Sequence, residues 1–571
     1  MKKLTFAATL GLLGLFTRTA LAAPGDTLSA GDPDDLFTIT DYVASDTALI
    51  TTIRFLPDGR MLIGEKTGAL KIREANGTIR TLYTFPVTTT SEQGLLGVAV
   101  QPDFATSRRI VVYWTRANSV GGTPENRINV SSFKLNPDDT VDFASEKVLV
   151  ANITAPANHD GGGLSFGPDG YLYVGVGDNG CNESVPATGL HRNLRGTAMN
   201  VATGKVLRVA VDGSIPPTNP FVNATGAITG KPLPSGECVR EASATLPTTT
   251  EPVRKDIYAV GFRNPFRIWT DPKTGFVWVG DVGEVTYEEV DIIKSPGQHF
   301  GWPFIEGKSG SPGSGPNPPA KCSEVVPRTG DCVEPAHVCT HNPRDCESIT
   351  GGYIADSCAF PKAWRGTYFY ADYETLKLYS MATTPNRDGL VEASRKVFAT
   401  FAGAANTGPV DIVSGTDGGL YVAILGVGAN SRVLRIFPKT VVPDPECEAK
   451  ADAGPDGGPS ADGGGAVVAV VVVVVVVVVA ERRRTVAFPA RRAKTPRVGA
   501  GVQLWAPIPP RPPGNGRSEP GSARSRSRWP ARGAVAAEKK RGNVVAKGSA
   551  GRASAPASRR GDEATPDGAR A

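Results

Sequence analysis

The sequence predicts an all-β protein, a six-bladed β-propeller with four-stranded blades over residues 37–440. Three observations carry this expectation. A strand, a tight Asp-Gly turn and a second apolar strand recur along the chain. Convincing helical periodicity is nearly missing. Finally, roughly 400 residues of evenly spaced strands are too many for one sandwich but suit radial repetition of blades.

The recurring unit is clearest in three places. Ile53-Arg54-Phe55-Leu56-Pro57-Asp58-Gly59-Arg60-Met61-Leu62-Ile63 has the same shape as Leu164 to Val174, which turns at Pro168-Asp169-Gly170. It returns as Ile412 to Val422, turning at Asp417-Gly418. Further strand pairs are expected around Leu96 to Trp114, Val206 to Val211, Ile257 to Val279 and Tyr368 to Met381.

The N-terminus reads as a secretory signal over residues 1–22, which implies an exported protein. Lys2 and Lys3 precede the apolar run from Leu4 to Phe16, and Ala20-Leu21-Ala22 supplies small residues for cleavage. Eight cysteines, an even number, fit an oxidising compartment and imply disulfides. The five from Cys322 to Cys358 are expected to pair largely among themselves, leaving Cys181 and Cys238 to bridge two loops. No Cys-x-x-Cys pair occurs among those five, which argues against zinc.

Net charge is +6, yet residues 481–571 alone hold 21 Lys and Arg against 6 Asp and Glu. The remainder is acidic, so the part expected to fold lacks a nucleic-acid footprint. Residues 443–465 read as a Pro/Asp/Gly linker. Residues 466–484 form a valine-rich segment ending in Arg482-Arg483-Arg484, with its apolar part below the roughly 20 residues of a spanning helix. It resembles a stop-transfer or surface-sorting tail, which would be the sole membrane contact; GC-rich DNA translated out of frame would look the same. Residues 485–571 lack a periodic apolar face and are expected to be disordered.

The chemistry concentrates at Asn158-His159-Asp160-Gly161-Gly162-Gly163-Leu164. Histidine is scarce, five in 571 residues, and this one stands among glycines just before a strand. Small glycines admit a backbone or a flat ligand, and an imidazole beside such a gap is placed to act as a base. Glu288, Glu289 and Asp291 imitate a metal cluster, but strand alternation sends them to different faces, which favours a structural role.

Several segments together resemble one family, the soluble glucose/sorbosone dehydrogenases that use pyrroloquinoline quinone, aldose sugar dehydrogenases included. They are Glu92-Gln93-Gly94-Leu95-Leu96-Gly97, the His159 motif, Gly204 to Arg208 with Asp212 to Pro216, Gly261-Phe262-Arg263-Asn264-Pro265, Gly280-Asp281-Val282-Gly283-Glu284 with Glu288 to Asp291, and Gly301-Trp302. The resemblance implies a six-bladed propeller that oxidises an aldose at its anomeric carbon and passes electrons to an external acceptor. It implies that His159 is the general base and that Arg263 stabilises charge on the quinone oxygen. Glu92, Arg263 and Asn264 would bind the cofactor, and backbone carbonyls of Gly283 and Glu284 would bind Ca²⁺, a hard cation suited to oxygen ligands.

Three departures from the glucose dehydrogenase branch stand out. Asn158 replaces an aspartate before the histidine. Gly408-Pro409-Val410-Asp411 lacks the two arginines that grip cofactor carboxylates, and around Asp372-Tyr373-Glu374 no lysine aligns with the family's cofactor-binding lysine. Thr350 to Tyr353, Cys358, Phe360-Pro361 and Gly366 to Tyr368 resemble hedgehog-interacting-protein-like domains instead. That resemblance implies an alternative, a non-catalytic propeller that binds other proteins.

Overall fold

The three recurring turns are built alike. In each, the aspartate carboxylate accepts the backbone N–H two residues on: Arg60 to Asp58 at 3.1 Å, Tyr171 to Asp169 at 3.2 Å and Gly419 to Asp417 at 2.9 Å. The glycines between them, Gly59, Gly170 and Gly418, take φ of +87°, +76° and +79°, a region in which a side chain is strained. Sequence thus closes each hairpin locally, joining the innermost strand of a blade to its neighbour.

Residues 25–120, 126–155, 158–180, 194–224, 253–308, 321–324 and 329–447 are described by the structure, a computed structural model. Their strands form six antiparallel sheets, the propeller expected. The first blade runs Ile50–Phe55, Met61–Glu65, Ala69–Arg73, Ile79–Thr84, and the second Leu95–Val100, Arg109–Arg116, Arg127–Leu135, Val141–Thr154. The third is Leu164–Phe166, Leu172–Val176, Lys205–Val209, Ile257–Val260, and the fourth Pro265–Thr270, Val277–Asp281, Tyr287–Ile293, His337–Thr340. The fifth holds Ile349–Ala355, Thr367–Asp372, Lys377–Ala382 and Lys396–Thr400, extended by Thr27–Leu28. The sixth, Gly408–Ser414, Leu420–Leu425 and Arg432–Pro438, takes its outer strand from the N-terminal side, Phe37–Val43. Among the described residues α-helix is limited to Asp32–Leu36, Phe104–Ser107 and residues 445–447, and no helix there is long and apolar enough to cross a membrane.

Six apolar clusters fill the six interfaces between consecutive blades. Phe37 shows how the ring is closed: fully buried, it packs its ring against Phe360, Trp364 and Phe398 of the fifth blade. An aromatic removed from water on all sides contributes about 1.5–3 kcal/mol, so this strand is a fastener as well as a sheet member.

The cysteines from 322 to 358 pair largely among themselves, as expected. Cys322–Cys332 and Cys339–Cys346 are bridged, but Cys358 pairs with Cys447, 89 residues away. Five cysteines cannot pair completely among themselves, and Arg365 brings the partner close by binding Asp444 at 2.5 Å and the carbonyl of Cys358 at 3.0 Å. Cys181 and Cys238, the signal at 1–22, the linker beyond 447, and the segments at 466–484 and 485–571 lie outside the described residues.

Candidate active site

The innermost strands begin around one mouth of the central channel, opposite the Asp-Gly turns that follow their other ends. A cavity of about 780 Å³ opens there, lined among others by Lys66, Glu92, His159, Arg263, Asn264 and Gly283. Five of the six residues singled out from sequence therefore meet in one place. Glu284 follows Gly283 in the same turn without lining the cavity. Arg267, fully enclosed, donates to the carbonyls of Thr51 at 2.6 Å and Val410 at 2.9 Å. It lines both this cavity and a smaller one of about 300 Å³ at the opposite mouth, and so plugs the channel between them.

His159 sits in the left-handed region at φ +53°, unfavourable for most residues although tolerated by histidine. Its Nδ1 lies 2.7 Å from Asp178 Oδ1. The same carboxylate oxygen accepts the Gly180 N–H at 2.8 Å, and Oδ2 accepts the Trp302 indole N–H at 2.8 Å. Burial would raise the Asp178 carboxyl, but the His159 imidazole, its hydrogen bond and the Arg263 charge outweigh it and hold the group below its ordinary value. A carboxylate held anionic at Nδ1 keeps the proton there and leaves Nε2 as the basic nitrogen. Gly177 makes the arrangement fit, since a Cβ there would stand 2.0 Å from the His159 carbonyl and 2.7 Å from Asn264 Oδ1.

Asp281 sets the next segment. Its two carboxylate oxygens accept the backbone N–H groups of Arg263 at 3.0 Å and Asn264 at 2.6 Å. Arg263 Nη1 donates to the Val282 carbonyl at 2.9 Å, while its Nε and the Oδ1 of Asn264 are buried with no partner. The Gly283–Glu284 turn is pinned from behind, because one oxygen of Glu306 accepts the N–H groups of Glu284, Val285, Thr286 and Tyr287 at 2.8–3.3 Å.

Strand alternation separates Glu288 from Glu289, as expected. Glu288 faces His341 at 2.7 Å and the N–H of Ile349 at 2.8 Å. Glu289 and Asp291 instead share the other face with Asp281, ligand atoms of the three lying within 4.8 Å of one another. Burial first, then the neighbouring carboxylates (Asp291 and Asp281 for Glu289, Asp281 for Asp291), push Glu289 and Asp291 well above the carboxylate range.

Lys66 and Glu92 line the cavity, and the fully buried Asp160 stands behind Glu92. Glu92 accepts the Asp160 N–H at 3.2 Å. Burial, then the Glu92 charge, pushes the Asp160 carboxyl up to about 8. Asn158 accepts a 2.7 Å bond from Ser91. Asp411 is engaged away from the cavity by Arg54 at 2.6 Å, and Asp372 binds the N–H groups of Glu347 and Ser348. Neither of those two stretches puts a cation in the cavity. Sequence reasoning missed Asp178 and the role of Trp302. A carboxylate in Gly177-Asp178-Asn179-Gly180, directly after a fully apolar strand, was the available signal for the first.

Residues 50–230 and 241–433 match the glucose/sorbosone dehydrogenase family model, and the chain belongs to that family. It is 27 % identical over 394 residues to the aldose sugar dehydrogenase YliI of Escherichia coli, covering 68 % of this chain and 89 % of that protein. HIPL1 of Arabidopsis thaliana is 27 % identical over 348 residues, 54 % of this chain and 47 % of its own length. Quinoprotein glucose dehydrogenase B of Acinetobacter calcoaceticus is 27 % identical over 267 residues, 44 % and 49 % respectively. Among solved structures, the soluble aldose sugar dehydrogenase of E. coli in its apo form aligns at TM-score 0.52 and 23 % identity, over 71 % of this chain and all of that one.

Proposed function

We propose that this chain is an exported, quinone-dependent dehydrogenase that oxidises the anomeric C–OH of an aldose to the lactone. The observation that carries the reading is the His159–Asp178 pair opening into the same cavity as Arg263 and Asn264. Its likeness to an aldose sugar dehydrogenase and a quinoprotein glucose dehydrogenase supports it.

The cavity suits a flat, polyanionic cofactor. It has the volume, and the unpaired Arg263 Nε is a buried donor that an anionic ligand would satisfy. Glu92, Arg263 and Asn264 would hold pyrroloquinoline quinone, and backbone carbonyls of Gly283 and Glu284 would hold Ca²⁺ against it. Lys66, on the cavity wall, provides a cation that the stretches at 372–374 and 408–411 do not. When bound, the quinone supplies the oxidant that takes hydride from the sugar carbon. The protein does the rest. His159 Nε2 takes the hydroxyl proton, Asp178 steadies the imidazolium that results, and the Arg263 guanidinium stabilises developing negative charge. Electrons then leave to an external acceptor.

The test is reconstitution of the purified protein with quinone and Ca²⁺, followed by dye reduction across a panel of aldoses. Saturable quinone uptake with sugar-dependent dye reduction is expected. A folded protein that takes up no quinone and reduces no dye would overturn the reading in favour of a propeller that binds other proteins.

A further inference from the structure

We propose that Trp302 is a positioning residue that ties the base to the cation across the active site, its indole N–H orienting Asp178 and its ring face seating Arg263. This rests on the reading of His159 as the base. Trp302 is 5 % exposed and does not line the cavity, so it acts only through its neighbours.

Two contacts leave the one indole. Nε1 donates to Asp178 Oδ2 at 2.8 Å, while Oδ1 of the same carboxylate faces His159 Nδ1 at 2.7 Å. An indole N–H donates and cannot accept, so it keeps one carboxylate oxygen for itself and helps turn the other towards the imidazole. The guanidinium carbon of Arg263 lies 5.7 Å from the indole ring centroid, within the range of a cation–π contact. A shift of this ring would therefore move the imidazole and the guanidinium together.

The ring itself is held by backbone. Trp302 N–H donates to the Gly261 carbonyl at 3.0 Å. A Cβ on Gly196 would stand 2.9 Å from the Trp302 carbonyl oxygen and 3.2 Å from its Cδ1. Gly261 opens the segment that ends in Arg263 and Asn264, so ring and cation share one anchor. Precise support of this kind decides whether a catalytic group is held or merely present.

The experiment uses the full chain without cofactor, labelled with ¹⁵N-histidine, the His159 signal being assigned by its loss in His159→Gln. In wild type the ring nitrogens should report the Nδ1–H tautomer; in Trp302→Phe they should report a mixture of tautomers. After reconstitution, Trp302→Phe should lower kcat about 10- to 100-fold with KM near wild type. Should Trp302→Phe fail to fold, ¹⁵N-tryptophan labelling replaces it. One indole N–H resonance should then move upfield in Asp178→Asn, which keeps the carboxylate's shape and loses its charge. An unchanged His159 tautomer in folded Trp302→Phe, or indole resonances indifferent to Asp178→Asn, would overturn the proposal. A tautomer that depends on Trp302 in a protein that never oxidises an aldose would sustain the positioning role and sink the dehydrogenase reading alone.

Discussion

His159 and Asp178, nineteen residues apart in the chain, face each other at 2.7 Å with the carboxylate fully buried. The chain crosses a complete hairpin between them, Leu164–Phe166 and Leu172–Val176. The inner hairpin of the third blade thus brings a carboxylate behind an imidazole. Asp178→Asn removes the anionic acceptor while keeping the side chain's shape. We expect kcat for aldose oxidation to fall by about 10²–10³, within the range for impaired acid–base catalysis. Quinone titration should be nearly unchanged, because Asp178 does not line the cavity.

Closure of the ring by its N-terminal strand makes a stability prediction. Phe37→Ala empties a site enclosed by Phe360, Trp364 and Phe398. A buried Phe→Ala change costs about 3–5 kcal/mol, and a urea or thermal melt should show it as a loss of that order. A change below about 1 kcal/mol would mean that the Phe37 ring contributes little to closing the ring of blades.

The bridge from Cys358 to Cys447 reaches past the last blade strand. Ending the chain at Pro445 retains every described strand but leaves Cys358 unpaired. Such a truncation should stay folded, expose one thiol to labelling, and lose about 2–5 kcal/mol of stability. Equal stability with and without residues 446–447 would show that the bridge constrains nothing.

The fold was legible because its signals are local. Asp58, Asp169 and Asp417 cap turns within two residues, and alternation places each strand. Pairing of Phe37–Val43 with Arg432–Pro438 was not legible, since the partners lie some 400 residues apart and nothing in either strand specifies the other. The same distance rule separates the site residues. His159, Arg263 and Asn264 stood out through motif context, whereas Asp178 belongs to none of the motifs singled out and Trp302 contacts it from 124 positions away. Among the described residues two bridges join near neighbours, whereas the partner of Cys358 lies 89 residues on, and nothing local to Cys358 specifies it.

Asp160 gives a pH signature. Its carboxyl is raised from 3.8 to about 8, chiefly by burial. Between those values the unfolded chain releases a proton that the folded chain retains. This group's stabilising contribution is thus full below about pH 4 and is lost as pH rises through 8, by at most on the order of 5 kcal/mol. Asp160→Asn should abolish that slope. Urea unfolding at pH 5 and pH 8.5 should show the variant gaining on wild type at the higher pH; an equal difference at both would show that Asp160 is ionised in the folded state.

The central claim is that His159 performs the proton transfer while other residues hold the cofactor. The decisive measurement compares wild type with His159→Ala in two ways: quinone titration in the presence of Ca²⁺, and sugar-dependent dye reduction after saturation. We predict similar quinone affinity in both proteins and a turnover lower by about 10²–10⁴ in His159→Ala, the range for a lost general base. Wild-type turnover in His159→Ala would contradict the account.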